Sequence, residues 1–125
     1  MSKPAAATVL VVDDDKNTCS TLSAVLADQG CEAVVAGNGK EALDYLRTSP
    51  RRPDLILLDL MMPEMTGWEF RRVQQEDPAL AAIPVAIITG LTGQEDKAKD
   101  LGAVDVLKKP STIETIASLV TRFCK

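Results

Sequence analysis

A chain of 125 residues with a net charge of −4 and no lysine- or arginine-rich block is sized for one domain, and its charge argues against nucleic acid or an anionic membrane surface as main partner. A protein or a small anion fits better. The opening "MSKPAAAT" lacks an apolar signal core and no later apolar run is long enough to span a bilayer, so a cytoplasmic chain is expected. Apolar residues make up 46% but only four residues are aromatic, so Leu, Val, Ile and Ala must build the core, as in buried parallel strands. The three cysteines, Cys19, Cys31 and Cys124, are far apart and lack zinc or redox spacing, so buried reduced thiols are expected. Histidine is absent, which removes the commonest general base and leaves chemistry to carboxylates, hydroxyls and lysine.

Five apolar runs mark strands in chain order: "TVLVV" (8–12), "EAVVA" (32–36), "LILLD" (55–59), "VAIIT" (85–89) and "VDVL" (104–107). Each interval between them has room for one helix. The first helix is expected to begin near Lys16, capped by one of Asp13, Asp14 and Asp15, with the stripe Leu22, Val25 and Leu26 facing the core. Later helices carry start signals in which a capping oxygen stands three residues before a Glu: Asn38 with Glu41, Thr92 with Glu95, and Ser111 with Glu114. Gly30 and Gly102 mark the ends of the first and fourth helices. Phe70, on the third, is expected to pack on the sheet, and Trp68 to lie near the strand ends. The pattern is (βα) five times over. It predicts an α/β fold, one parallel sheet wound with helices on both faces, over residues 1–125, with 1–7 a flexible leading segment.

In such sheets ligands bind beyond the carboxyl ends of the strands, so the polar residues there carry the functional argument. They are Asp13, Asp14 and Asp15 after the first strand, Asp59 at the third, Thr89 at the fourth, and Lys108 and Lys109 after the fifth. Taken singly, Asp59 could begin an Asx turn, one acid of the 13–15 group could merely cap a helix, Thr89 could be an ordinary strand residue and Lys109 a solvated charge. If the first and third strands are neighbours, the acids converge and raise one another's pKa unless a cation such as Mg²⁺ intervenes. Acids, hydroxyl and lysine together are the parts for handling a phosphoryl group.

"VLVVDDDK", "LILLDLMMPEMTGWE", "VAIITG" and "VLKKP" resemble the successive signatures of the receiver domain of two-component response regulators, and the match spans essentially the whole chain. The resemblance implies a flavodoxin-like, doubly wound five-stranded parallel sheet of order 2-1-3-4-5, a strand order given for a member of that family in general accounts of such folds. Carried over by position, Asp59 is the phospho-acceptor, Asp14 a direct Mg²⁺ ligand, Asp13 a carboxylate acting on the metal through water, and Met61 a backbone-carbonyl ligand, with Mn²⁺ able to substitute. Thr89 is the hydroxyl that follows the phosphoryl group, Lys109 the lysine that pairs with it, and Pro110 follows a cis bond. The implied partners are a sensor histidine kinase or histidine phosphotransfer protein and a downstream effector. The expected form is a stand-alone monomer without nucleic-acid or membrane contact.

Two positions depart from the pattern: Val106 stands where the switch aromatic is expected, and Ser111 where an aromatic usually follows the proline. Met61 and Leu91, both apolar, predict slow self-dephosphorylation because neither can orient a water. Three rivals remain on the residues alone. An Asp-nucleophile phosphatase of the haloacid-dehalogenase type would use Asp13, leaving Asp59 without a role and lacking a later acidic pair. A receiver-like scaffold would work without phosphorylation. A mononucleotide-binding domain would need a Gly-rich phosphate loop that does not follow the first strand.

Overall fold

The computed structural model describes residues 7–49, 52–62, 64–90, 95–109 and 113–124. Five strands alternate with five helices: β1 (Thr8–Val12), α1 (Lys16–Asp28), β2 (Glu32–Ala36), α2 (Gly39–Thr48), β3 (Leu55–Leu58), α3 (Gly67–Glu76), β4 (Val85–Thr89), α4 (Glu95–Lys99), β5 (Asp105–Lys108) and α5 (Ile113–Cys124). All strand pairs are parallel and the order is β2-β1-β3-β4-β5, as the sequence and the resemblance led us to expect.

β1, β3 and β4 are buried along their whole length because helices cover both faces, so their apolar runs are continuous rather than alternating. Alternate residues feed two separate cores. Leu10, Val12, Ile56, Leu58 and Ile87 pack with Leu43 and Leu46 of α2 and Phe70 of α3 on one face. Val9, Val11, Leu57 and Ile88 pack on the other with Leu22, Val25 and Leu26 of α1 and Leu119 and Val120 of α5. The edge strands β2 and β5 are only partly covered.

Local signals act as read at three ends. Asn38 caps α2 by accepting from the Glu41 amide at 2.9 Å, and Gly30 and Gly102 take positive φ values of 75° and 74° beyond α1 and α4. Two strands differ by one residue in their bounds. β3 is assigned to Leu58, although the Asp59 amide still bonds to the Val12 carbonyl at 2.9 Å. β5 runs 105–108 rather than 104–107, because Asp105 pairs with Ala86 and Lys108 with Thr89. Among residues 1–7, only Ala7 is described, and its carbonyl accepts from the Glu32 amide at 2.8 Å, while the expectation for residues 1–6 lies outside the described residues. The expectations for Pro110, Ser111, Leu91 and the Thr92 cap lie outside the described residues.

Candidate functional site

The strand order places β1 between β2 and β3, so helices leave to opposite faces at this junction and a crevice opens beyond the carboxyl ends of β1 and β3. Asp13 and Asp59 stand there one residue past their strands, with amides still held by the ladder: Asp13 N–H donates to Ala36 O at 3.0 Å. Both side chains are buried, at 3% and 5% exposure, while Asp14 is exposed. Oxygens of Asp13, Asp14 and Asp59 lie within 4.8 Å of one another.

Each acid is held differently. Asp15, the third of the run, is the helix cap: its carboxylate accepts from the Asn17 and Thr18 amides, and these bonds hold its pKa below the usual range. Asp13 Oδ1 accepts from the Asp15 amide at 2.9 Å, which turns Oδ2 towards Lys109. Asp59 Oδ1 accepts from the Met61 amide at 3.3 Å. Asp15 thus caps the helix, and Asp13 and Asp14 belong to the cluster with Asp59.

Lys109 Nζ lies 2.7 Å from Asp13 Oδ2 and 3.5 Å from Asp59 Oδ2, so one ammonium faces two buried carboxylates. Burial alone would lower its pKa, but the hydrogen bond to Asp13 and the charges of Asp59 and Asp13 outweigh it and raise it. For Asp59 the balance goes the other way. Burial and the neighbouring Asp13 charge raise its pKa despite Lys109 and the Met61 amide. The cluster is therefore short of positive charge.

Thr89 is buried at the end of β4, and its carbonyl accepts from the Lys109 amide at 2.8 Å, which ties the lysine's backbone to that strand. Lys108, one place earlier, is exposed at the end of β5. Met61 is 57% exposed on the loop after β3. A cavity of about 390 Å³ adjoins the cluster, with Asp15, Thr18 and Lys109 among its polar lining and Leu22, Ile88 and Ile116 as its apolar wall.

Four features were not read from the sequence. Cys19 donates its thiol to the Asp13 carbonyl at 3.3 Å, and burial, then the Asp13 charge, push its pKa up. That Cys19 and Cys31 are buried and free was expected. Thr66 and Glu69 form a reciprocal capping box at the start of α3, a Thr-x-x-Glu spacing that was legible. Glu64, in the loop after Asp59, has φ of 67°, a left-handed conformation uncommon for such a residue. At Gly67 a Cβ would stand against the Asp59 carbonyl oxygen and 2.7 Å from Leu60 Cα, so glycine lets α3 start directly beneath the end of β3. Trp68 is half-buried against the core and Phe70 fully buried.

The donor set suits a hard divalent cation. Three carboxylates, two of them buried and one resisting ionisation, offer only oxygen, and the single lysine leaves negative charge uncompensated. Val106 is partly buried on β5 and packs against the core on the α2 and α3 face.

Comparison with known proteins agrees with this geometry. Residues 9–121 match the model of the response regulator receiver domain family. The DNA-binding response regulator MtrA of Mycolicibacterium paratuberculosis is 39% identical over 104 residues, covering 82% of this chain and 44% of the relative. The chain thus spans less than half the length of that relative, and DNA binding is said of the longer protein. Among solved structures, a response regulator receiver protein from Pseudomonas putida superposes with a TM-score of 0.87 at 31% identity, covering 96% of this chain and 99% of that one. The chemotaxis protein CheY4 of Vibrio cholerae gives 0.84 at 35% identity, with 95% and 99% covered. Among the described residues no helix is long and apolar enough to cross a membrane.

Proposed function

We propose, from the premise that this chain belongs to the response regulator receiver domain family, that it is a signalling domain whose phospho-acceptor is Asp59. The observation that carries the proposal is the charge-deficient cluster of Asp13, Asp14 and Asp59 with Lys109 shared between two of its acids. An Asp59 oxygen attacks phosphorus in line as the bond to the donor breaks. The donor's leaving atom keeps the electron pair: an imidazole nitrogen from a phosphohistidine, or acetate from acetyl phosphate. With no histidine in the chain, a phosphohistidine donor would sit on a sensor kinase or phosphotransfer protein.

Asp13, Asp14, Asp59 and the Met61 carbonyl would hold Mg²⁺, or Mn²⁺ in its place. When bound, the ion supplies neutralisation of the phosphoryl oxygens as they gather charge. Lys109 is pre-positioned by its salt bridges to move from a carboxylate to a phosphoryl oxygen, and Thr89 offers its hydroxyl from the adjacent strand end. Output to an effector follows from a shift of Thr89 and of the backbone after it, since Val106 is short, β-branched and packed and has no aromatic ring to swing. Met61, two residues past Asp59, has an exposed apolar side chain that cannot orient water, so the acyl phosphate is long-lived.

Intact mass after incubation with acetyl phosphate tests the proposal. One added phosphoryl group with Mg²⁺, and none with chelator or in Asp59→Asn, is the expected result. Equal uptake by Asp59→Asn would exclude Asp59, and no uptake by a protein that binds Mg²⁺ would leave a phosphorylation-independent scaffold.

A further inference from the structure

The mid-section of α3 buries a polar group that the acid cluster does not use. Arg71 is 6% exposed and Gln74, three residues on, is fully buried, on a helix face otherwise occupied by Phe70. Arg71 Nε donates to the Leu101 carbonyl at 2.8 Å and Nη2 to the Gly102 carbonyl at 3.4 Å, while Nη1 donates to Gln74 Oε1 at 2.8 Å. Gln74 Nε2 in turn donates to the Leu80 and Ile83 carbonyls, at 2.9 and 3.1 Å, in the connection from α3 to β4. Gln75 adds a second donor to Leu101 O at 2.9 Å. One guanidinium thus holds the carbonyls just beyond α4, where the cation also complements the helix dipole.

The rest of α4 is held differently. Asp96, Lys97 and Lys99 are exposed, whereas Leu101 and Ala103 pack on the core, the Gly102 amide bonds to Lys99 O at 2.9 Å and the Val104 amide to Val85 O at 2.8 Å. These ties lie at the C-terminal end of the segment. Gly102 fits this clamp: its φ is 74° and a Cβ would lie 3.3 Å from Arg71 Nη2. Thr89, the residue proposed to follow the phosphoryl group, lies on the chain before the other end.

We propose that Arg71, braced by Gln74, is the pivot of the α4 segment: it holds residues 101–104 to α3 while residues 95–99 are displaced when Thr89 moves. Arg71 is a positioning residue, and the proposal rests on the phospho-acceptor reading for the motion though not for the tether. A merely structural anchor would slow opening equally in both states. A pivot confines the response to one side of itself.

Amide spectra of the whole chain, with and without acetyl phosphate and Mg²⁺, separate these outcomes when paired with exchange rates and intact mass. In the wild type, phosphorylation should shift the Asp96 and Lys97 amides several-fold more than Gly102 and Val104. In Arg71→Lys, which keeps the charge but loses the fork, Gly102 and Val104 should exchange roughly tenfold faster and shift as much as Asp96. Arg71→Leu should do the same more strongly if it folds. Equal shifts on both sides of the pivot in the wild type, or unchanged exchange at Gly102 and Val104 in Arg71→Lys, overturn the proposal. Absence of a phosphoryl mass gain reports failure of the phospho-acceptor reading alone, and the basal exchange rates then still decide the tether.

Discussion

Asp59 and Arg71 are both ionisable and both almost wholly buried, yet their surroundings answer their charge in opposite ways. Asp59, beyond the carboxyl end of β3, shares one lysine with a second buried acid and resists ionisation. Arg71, near the amino ends of β4 and β5, is met by two backbone carbonyls and an amide oxygen, and burial is the one cause that lowers its pKa. The first centre is left short of positive charge and can gain by binding a cation. The second has its guanidinium spread over dipoles it already holds, and what it can do is fix geometry. Burial of a charge therefore signals chemistry only where the compensation is incomplete.

The sharpest way to break this contrast is Arg71→Leu. It strands Gln74 Oε1 and the Gly102 carbonyl and leaves Leu101 O with its bond from Gln75, and should cost about 3 kcal/mol of unfolding free energy, by analogy with orphaned buried polar groups. Because arginine stays charged, denaturant titrations at pH 5 and pH 8 should give the same loss. A loss below about 1 kcal/mol would mean the network carries little of the fold.

Mg²⁺ should distinguish the centres next. At ten times its dissociation constant it should add about 1.4 kcal/mol by mass action, or roughly 5 °C in melting temperature for a chain of this size. Calorimetry should find this increment in wild type, in Arg71→Lys and not in Asp13→Asn or Asp14→Asn. Its survival in both acid variants would remove the cluster as the metal site.

A smaller effect concerns Asp59 itself without added Mg²⁺. Its folded pKa is raised, so the folded protein binds more protons than the unfolded chain between the ordinary carboxylate value of 3.8 and the raised one, and stability falls as pH rises through that window. Asp59→Asn escapes this loss. It should melt higher than wild type at neutral pH, with the advantage vanishing as pH falls below the ordinary carboxylate range. A variant less stable at neutral pH would show that Lys109 over-compensates the acid.

Much of this was legible beforehand, for physical reasons that differ by residue. The central strands could be read because burial on both faces demands continuous apolar runs, so a carboxylate at the end of one, Asp59 after "LILL", stands out. The convergence of Asp13 with Asp59 followed from strand order. Arg71 and Gln74 were not legible, since a polar pair on a helix ordinarily faces solvent and only tertiary packing turned this one inward. Neither was the left-handed Glu64, which carries no side-chain signature of its backbone. The one-residue slip of β5 arises at a partly covered edge strand, where burial constrains register least.

Peptide mapping of the phosphorylated chain tests the central claim most directly, because it asks which carboxylate of the cluster accepts the group. After incubation with acetyl phosphate and Mg²⁺, the label should lie on the peptide containing Asp59, and reduction of the acyl phosphate should place it at that residue. A label on Asp13 would contradict the assignment and make the chain an Asp-nucleophile phosphotransferase instead.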